Sequence, residues 1–81
     1  AGLEGGGRDE ALFEALRNAR ATLAKAQGVP PYVIFHDTTL IAMARAKPRS
    51  LAAFGDLPGV GEAKLARYAD AFLAVIAAHA A

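Results

Sequence analysis

The sequence predicts an all-α domain, a compact bundle of about five short helices, and three observations lead to that prediction. Apolar residues recur three or four positions apart along most of the chain, which is the spacing of one helical face. Alanine dominates the 54% hydrophobic content, and alanine both favours helices and lets them pack closely. One short run, VPPYVIF, resembles a strand, but no second run in the chain could pair with it.

The length of 81 residues allows one small domain, and its limited core favours a binding or regulatory module over an enzyme. Residues 1–8, AGLEGGGR, are predicted to be a linker or leader, because glycine is too dense there for regular structure. Residues 9–81 are predicted to be the domain. Because the chain lacks an initiator methionine and begins in this glycine-rich segment, we expect it to be a piece of a longer protein.

Composition excludes several functional classes. The chain has no cysteine, which excludes disulfides and thiolate metal sites. No apolar run approaches the roughly 20 residues of a membrane span, so we expect no membrane partner. Neither His36 nor His79 has an acid at ligand spacing, so no metal site is expected. Nucleophile and P-loop motifs are absent, and the chain alone is predicted to be non-catalytic, with no cofactor of its own.

The first helix is predicted to run from Asp9 to Gly28. Asp9 is a suitable N-cap, and Gly28 is a suitable C-terminal stop. Between them, apolar residues recur at helical spacing: Leu12, Phe13, Leu16, Ala19, Leu23 and Ala26.

The middle of the chain is predicted to hold two more helices after an irregular segment. The two prolines of VPPYVIF exclude a helix interior, so this run is predicted to be extended or a short 3₁₀ turn packed over the helices. Asp37 is predicted to cap the second helix, which carries the apolar residues of LIAMA and ends before Pro48. Ser50 is predicted to cap a short third helix, SLAAF, which Gly55 terminates.

The last long helical pattern follows the sequence LPGVG. Asp70 could cap a second segment within this pattern, so the tail is predicted to be either one kinked helix or two abutting helices. Its apolar stripe consists of Leu65, Tyr68, Ala69, Phe72, Leu73 and Ile76.

The glycine pair of LPGVG has two interpretations that the residues leave open. Glycine permits a positive φ, which turns between helices commonly need. The same turn leaves backbone N–H groups uncovered at the start of a helix, where a phosphate can bind. Lys64 and Arg67 lie three positions apart and could flank a phosphate path, although Glu62 and Asp70 weaken the local field.

Two other features could also contact a nucleic acid. Arg45, Lys47 and Arg49 form a second basic run at the end of the second helix, where cations also complement the helix dipole. Tyr32 lies in the proline-stiffened loop and could stack on a base. It could equally be a core residue with its hydroxyl at the surface.

The order of these features resembles the HRDC (helicase and RNase D C-terminal) domain family. The two most specific strings, PPYVIF–D–TL and LPGVG–KL–Y, occur in the family's order and spacing, and the resemblance extends from residue 9 to 80. VPPYVIFHD looks most like the versions carried by bacterial RecQ-type ATP-dependent DNA helicases. The resemblance implies an auxiliary, non-catalytic bundle that modulates binding to single-stranded or structured DNA in repair and recombination. LPGVG also resembles the helix-hairpin-helix motif, which places hairpin amides on phosphates.

The resemblance also implies residue roles and a cellular setting. Asp37 keeps its capping role, because an ionised carboxylate cannot donate to a phosphate. The parent helicase is expected to use ATP and magnesium in the bacterial cytoplasm, at the nucleoid. The domain is expected to be a monomer that contacts DNA and other helicase domains. The implied DNA-binding residues are Tyr32, Thr38, Thr39, Gly59, Gly61, Lys64 and Arg67.

The net charge of +1, from nine cations and eight anions, leaves alternatives open. Three or four phosphate contacts would give a salt slope of roughly −2 to −3 on single strands, which means weak and salt-sensitive binding. The domain could instead regulate the helicase through interdomain contact, with little DNA affinity. A third alternative is the RNA-binding domain of an RNase D-like exoribonuclease. The acidic surface for interdomain contact would consist of Asp9, Glu10, Glu14, Asp56, Glu62 and Asp70.

Overall fold

A computed structural model describes residues 9–79, and that range holds five helices and no strand. The predicted all-α class is therefore confirmed. No helix within this range is long and apolar enough to cross a membrane. The predicted leader, residues 1–8, lies outside the described residues. The helices are α1 (Glu10–Gln27), α2 (Pro31–Ile34), α3 (Asp37–Ala46), α4 (Leu51–Gly55) and α5 (Glu62–His79).

Helix α1 packs against α2, α3 and α5, and both of its ends match the predicted signals. The Asp9 carboxylate accepts a hydrogen bond from the backbone N–H of Leu12 at 3.0 Å, as an N-cap does. At the other end Gly28 has φ 68, and its N–H donates to the carbonyls of Ala24 and Lys25. A left-handed glycine is the common way to end a helix, because it lacks the Cβ that penalises this conformation.

Helix α2 corrects the prediction for VPPYVIF, because residues 31–34 form one α-helical turn and not an extended or 3₁₀ segment. Pro31 is the first helical residue, where the proline ring presets φ and the missing N–H has no partner to lose. The N–H of Phe35 donates to the Pro31 carbonyl at 3.4 Å. Prolines exclude a helix interior but not a helix start, and the prediction did not separate the two.

Helix α3 corrects the role predicted for Asp37, which is the first helical residue and not the N-cap. His36 occupies the cap position and makes no side-chain capping bond. The Asp37 carboxylate instead forms an ion pair with Arg20 of α1 at 2.7 Å. The predicted end of this helix before Pro48 is confirmed, since α3 ends at Ala46.

Helices α4 and α5 complete the bundle by packing against each other. Ser50 caps α4 as predicted, and its hydroxyl oxygen accepts from the N–H of Ala53 at 3.1 Å. α5 is one continuous helix of 18 residues, so Asp70 lies in its interior and caps no second segment. Four of its residues are buried and continue the predicted stripe: Tyr68, Ala69, Phe72 and Ile76.

Phe35, in the connection between α2 and α3, lies at the centre of the core and is 0% exposed. Its ring makes edge contacts with Phe54 of α4 and with Tyr68 and Phe72 of α5, at centroid distances of 6.1, 5.8 and 5.2 Å. Its carbonyl oxygen accepts a hydrogen bond from Arg20 of α1 at 3.0 Å. One residue therefore joins α1, α4 and α5 to the connection that precedes α3.

Replacing Phe35 by alanine should destabilise the domain strongly. Removing a buried aromatic ring and leaving its cavity costs about 3–5 kcal/mol, which approaches the whole stability of a small domain. Urea unfolding followed by circular dichroism measures the loss. Leu51→Ala is the control, because Leu51 is exposed and its truncation should cost less than about 0.5 kcal/mol. Equal losses for the two variants would contradict the central position of Phe35.

The Asp9 carboxylate ties the start of α1 to the end of α3 and makes stability depend on pH. The N–H of Leu12, helped by the Lys47 ammonium 3.5 Å away, lowers the pKa of Asp9 below its ordinary value of 3.8. Because the folded-state pKa is the lower one, the stabilisation is present above the ordinary value. It is lost as the pH falls through the lowered pKa.

Asp9→Asn should therefore flatten the acid side of the stability profile. Asparagine keeps the cap but carries no titrating charge, so its melting temperature should fall less than that of the wild type between about pH 5 and pH 2. Thermal melts across this range check the prediction. Lys47→Met should retain more of the pH dependence than Asp9→Asn, because the Leu12 hydrogen bond remains. Parallel profiles for wild type and Asp9→Asn would rule out this role for Asp9.

Candidate nucleic-acid interface

The two segments predicted to contact DNA lie against each other in the fold. The hydroxyl of Thr39, near the start of α3, donates to the carbonyl of Pro58 at 2.9 Å. The ammonium of Lys64, in the first turns of α5, lies 5.7 Å from the ring centroid of Phe35. These two contacts join residues 31–39 and 58–67, called the candidate interface from here on.

The two glycines of the turn before α5 have different structural roles. Gly59 has φ +83, and a Cβ at this position would overlap the hydroxyl of Thr39. Gly61 has no positive φ and has open space around it, while its carbonyl accepts the N–H of Leu65 at 2.9 Å. The conformational interpretation therefore holds for Gly59, whereas Gly61 leaves the start of α5 uncovered.

The two threonines at the start of α3 differ in exposure. Thr38 is exposed, but Thr39 is only 2% exposed, and its hydroxyl is used by Pro58. The resemblance implies that Thr39 contacts DNA, but in the structure its hydroxyl is already donated to the Pro58 carbonyl. Its side chain points into the junction with the Pro58–Gly59 turn, and it positions that turn.

Tyr32 is 59% exposed, so its alternative interpretation as a core residue is wrong. Its ring stacks on the ring of His36, with the centroids 5.9 Å apart and the planes inclined by 25°. The two rings border an open cleft of about 450 Å³ on the surface. The cleft is lined by Arg20, Pro31, Tyr32, His36, Asp37 and Thr38.

Arg20 is a site residue that the sequence prediction missed. Its Nη1 donates to the Phe35 carbonyl at 3.0 Å and pairs with the Asp37 carboxylate at 2.7 Å. The residue is 9% exposed, and its buried Nε has no partner among residues 9–79. A signal existed, because Arg20 lies four positions from both Leu16 and Ala24 and so falls on the apolar face of α1.

Lys64 and Arg67 place two cations at the start of α5, where they were predicted. Lys64 is half-buried with its ammonium over Phe35, and the guanidinium of the exposed Arg67 lies 6.0 Å from the ring centroid of Tyr68. Neither cation forms an ion pair with any residue in the described range 9–79. Contact with an aromatic face positions both charges without neutralising them.

In the second basic run, Arg45, Lys47 and Arg49, only one of the three cations has an ion-pair partner among residues 9–79. Lys47 pairs with Asp9, and its backbone has φ 49 at the end of α3. Arg45 and Arg49 are exposed and form no ion pair within the part of the chain that the structure describes.

Of the acids in the predicted acidic surface, some form ion pairs within residues 9–79 and others do not. Asp9 is taken by Lys47, and Glu14 pairs with Arg17 of the same helix at 3.1 Å. Glu10 is exposed in the first turn of α1. Three further acids are exposed and have no ion pair among residues 9–79: Asp56, Glu62 and Asp70. Across the described residues no group of His, Asp and Glu could hold a metal ion.

The fold and the joined segments define a small all-α domain in which a helical turn and a glycine turn meet beside two cations that have no ion pair among residues 9–79. Comparison with known proteins identifies its family. The chain belongs to the HRDC domain family, which matches residues 9–76.

Several helicases contain a similar segment. The chain is 40% identical over 73 residues to the ATP-dependent DNA helicase RecQ of Haemophilus influenzae, covering 90% of this chain and 12% of that protein. It is 43% identical over 72 residues to RecQ of Bacillus subtilis, covering 89% of this chain and 12% of that protein. The ATP-dependent DNA helicase UvrD2 of Mycobacterium tuberculosis is 43% identical over 68 residues, which cover 84% of this chain and 10% of that protein. The chain thus spans about a tenth of the length of these relatives.

A solved structure has the same fold. The D. radiodurans RecQ HRDC domain 3 superposes with a TM-score of 0.80 at 39% sequence identity. The match covers 83% of this chain and 88% of that one. The predicted resemblance to the HRDC family is confirmed by the family match, the relatives and this structure.

Gly59→Ala should destabilise the domain, because alanine is strained at φ +83 and its methyl group would displace the Thr39 hydroxyl. Backbone strain of this kind costs about 1–3 kcal/mol. Gly61→Ser is the matched control, since serine has open space there and is favoured at a helix start. Its stability should stay within about 0.5 kcal/mol of the wild type. Chemical denaturation compares the two, and an unchanged Gly59→Ala variant would contradict the close approach.

Proposed function

We propose that this chain is an auxiliary, non-catalytic domain of a RecQ-like ATP-dependent DNA helicase, and that it binds single-stranded or structured DNA weakly. The observation that supports this most is the candidate interface. There an exposed tyrosine lies in one segment, and two cations without anionic partners among residues 9–79 lie in the adjoining one. The names of the relatives, RecQ and UvrD2 helicases, support the same proposal.

Each exposed residue of the interface suits one part of a DNA strand. Tyr32 offers a flat ring on which an unpaired base can stack, and stacking tolerates any base. Lys64 and Arg67 attract phosphates and set the position of the strand without reading its sequence. The hydroxyl of Thr38 and the uncovered start of α5 at Gly61 add neutral donors for the same phosphates.

Two other members of the predicted set act on the shape of this surface. Thr39 and Gly59 hold the turn against α3, so the proposed contribution of each is to position and not to touch the DNA. Few cations then contact phosphates directly, which agrees with a net charge of only +1. A single-strand salt slope of roughly −2 to −3 follows from three or four phosphate contacts.

The parent protein is proposed to supply the motor. It would use ATP and magnesium in the bacterial cytoplasm, while this domain modulates which DNA structures are bound and unwound in repair and recombination. Relatives named as helicases favour this parent over an RNase D-like exoribonuclease. The domain itself is proposed to be monomeric and to bind no nucleotide cofactor.

Variants of the two segments test the proposal. Tyr32→Ala should weaken binding of labelled oligo(dT) by about 1–3 kcal/mol, the usual contribution of one stacked base, while Tyr32→Phe should keep most of it. Lys64→Met retains the packing over Phe35 but loses the charge, so the salt slope should become shallower by about 0.7. Fluorescence anisotropy between low and moderate salt gives both quantities.

A matched charge control separates the interface from a general loss of cations. Arg17→Met removes a cation that Glu14 already pairs, so its affinity and slope should stay near those of the wild type. If Tyr32→Ala and Lys64→Met also match the wild type, direct DNA binding at this interface is excluded.

The interdomain alternative is favoured by one observation, the three exposed acids around α4 and α5 that have no ion pair within residues 9–79. They could face a basic surface elsewhere in the parent helicase. In that case reversing Asp70 to lysine would change unwinding by the whole helicase, and DNA binding by the 81-residue chain would not respond to Tyr32→Ala.

A further inference from the structure

The surface cleft beside Tyr32 contains an anionic side chain of the protein, the carboxylate of Asp37. The Asp37 carboxylate lies 2.7 Å from Nη1 of Arg20, and the two side chains are 70% and 11% exposed. The carboxylate therefore stands between a nearly buried guanidinium and the solvent. Of the six residues that line the cleft, Asp37 is the one with an acidic side chain.

Arg20 has more hydrogen-bonding capacity than its partners use. Nη1 serves both Asp37 and the Phe35 carbonyl, while the buried Nε has no partner among residues 9–79. A planar guanidinium binds an anion best through two parallel N–H groups, and this pair lacks that second bond. A phosphate has more acceptor oxygens than a carboxylate and can meet such a fork from several directions.

The start of α3 supplies further donors next to Arg20. The helical hydrogen bonds begin with the N–H groups of Thr39 and Leu40, which both donate to the His36 carbonyl. The N–H groups of Asp37 and Thr38 precede this ladder, at the positive end of a ten-residue helix. The side chain of Thr38 is exposed and lines the same cleft.

We propose that Arg20, Thr38 and the first turn of α3 form a phosphate-binding site that the Asp37 carboxylate occupies in the free domain. A phosphate that enters the cleft displaces Asp37 from Arg20, and the base next to that phosphate reaches the Tyr32–His36 stack. That the phosphate comes from DNA rests on the proposed function, whereas the site for a phosphate does not. Asp37 then acts as an internal competitor that lowers the affinity for DNA.

Asp37→Asn is the direct test, and Asp56→Asn is its matched control. Both replace an exposed aspartate by asparagine, and both raise the net charge by one. Only the first frees the guanidinium of Arg20, since Asp56 lies outside the candidate interface and has no ion pair within the described part of the chain.

Two probes are used with each variant of the 81-residue chain. Inorganic phosphate should raise the melting temperature of Asp37→Asn clearly more than that of Asp56→Asn or the wild type. Oligo(dT) should bind Asp37→Asn about three- to tenfold more tightly than Asp56→Asn at low salt, with a salt slope more negative by about 0.7, as one added phosphate contact gives.

The two probes separate the phosphate site from the proposed DNA binding. If Asp37→Asn responds to inorganic phosphate but binds oligo(dT) no more tightly, the phosphate site stands and DNA is not its ligand. Equal phosphate responses of Asp37→Asn and Asp56→Asn overturn the site itself.

Loss of the ion pair leaves Arg20 with an uncompensated charge, so Asp37→Asn could unfold. A second measurement then decides, on the wild-type chain. Saturating inorganic phosphate should shift the ¹⁵N resonance of the Arg20 Nε–H, whereas equimolar chloride should not. An unmoved Arg20 resonance overturns the proposal.

Discussion

The insertion of Phe35 into the core is the constraint on which the rest of the structure depends. Its ring packs between α4 and α5, and its carbonyl is held by Arg20 of α1. The segment around it is too short to form a stable helix by itself, because ordering a single turn costs conformational entropy and forms almost no internal hydrogen bonds. The buried Phe35 therefore fixes the positions of the exposed residues on either side of it, Tyr32 and His36.

The sequence predicted the features that local signals control. The caps at Asp9 and Ser50 and the helix stop at Gly28 depend on residues within about one turn, and each was found where it was expected. Two of the failures share a cause, which is a partner distant in sequence. Asp37 has capping chemistry but pairs with a residue 17 positions earlier, and Thr39 is drawn inward by a carbonyl 19 positions later. Such pairings arise from packing, and no local rule contains them.

The net charge of a small domain says little about any one of its surfaces. The eight acids and nine cations nearly cancel in the sum. In space, however, several of the acids are matched to a cation of their own: Asp9 to Lys47, Glu14 to Arg17 and Asp37 to Arg20. Lys64 and Arg67 remain without such partners in the described range, so a locally basic surface is compatible with a nearly neutral chain. The sequence predicted these two positions, while their use by DNA stays a prediction.

The close approach of Gly59 to Thr39 has a consequence for how sequences of this kind are interpreted. A side chain at position 59 is disfavoured twice, by the backbone angle and by the threonine hydroxyl. Shortening Thr39 would remove only the second obstacle, and it would also leave the Pro58 carbonyl without its donor. The two positions are therefore coupled, and substitutions there should be non-additive. The packing of the turn alone therefore accounts for a glycine at position 59, and this glycine gives no information about a ligand.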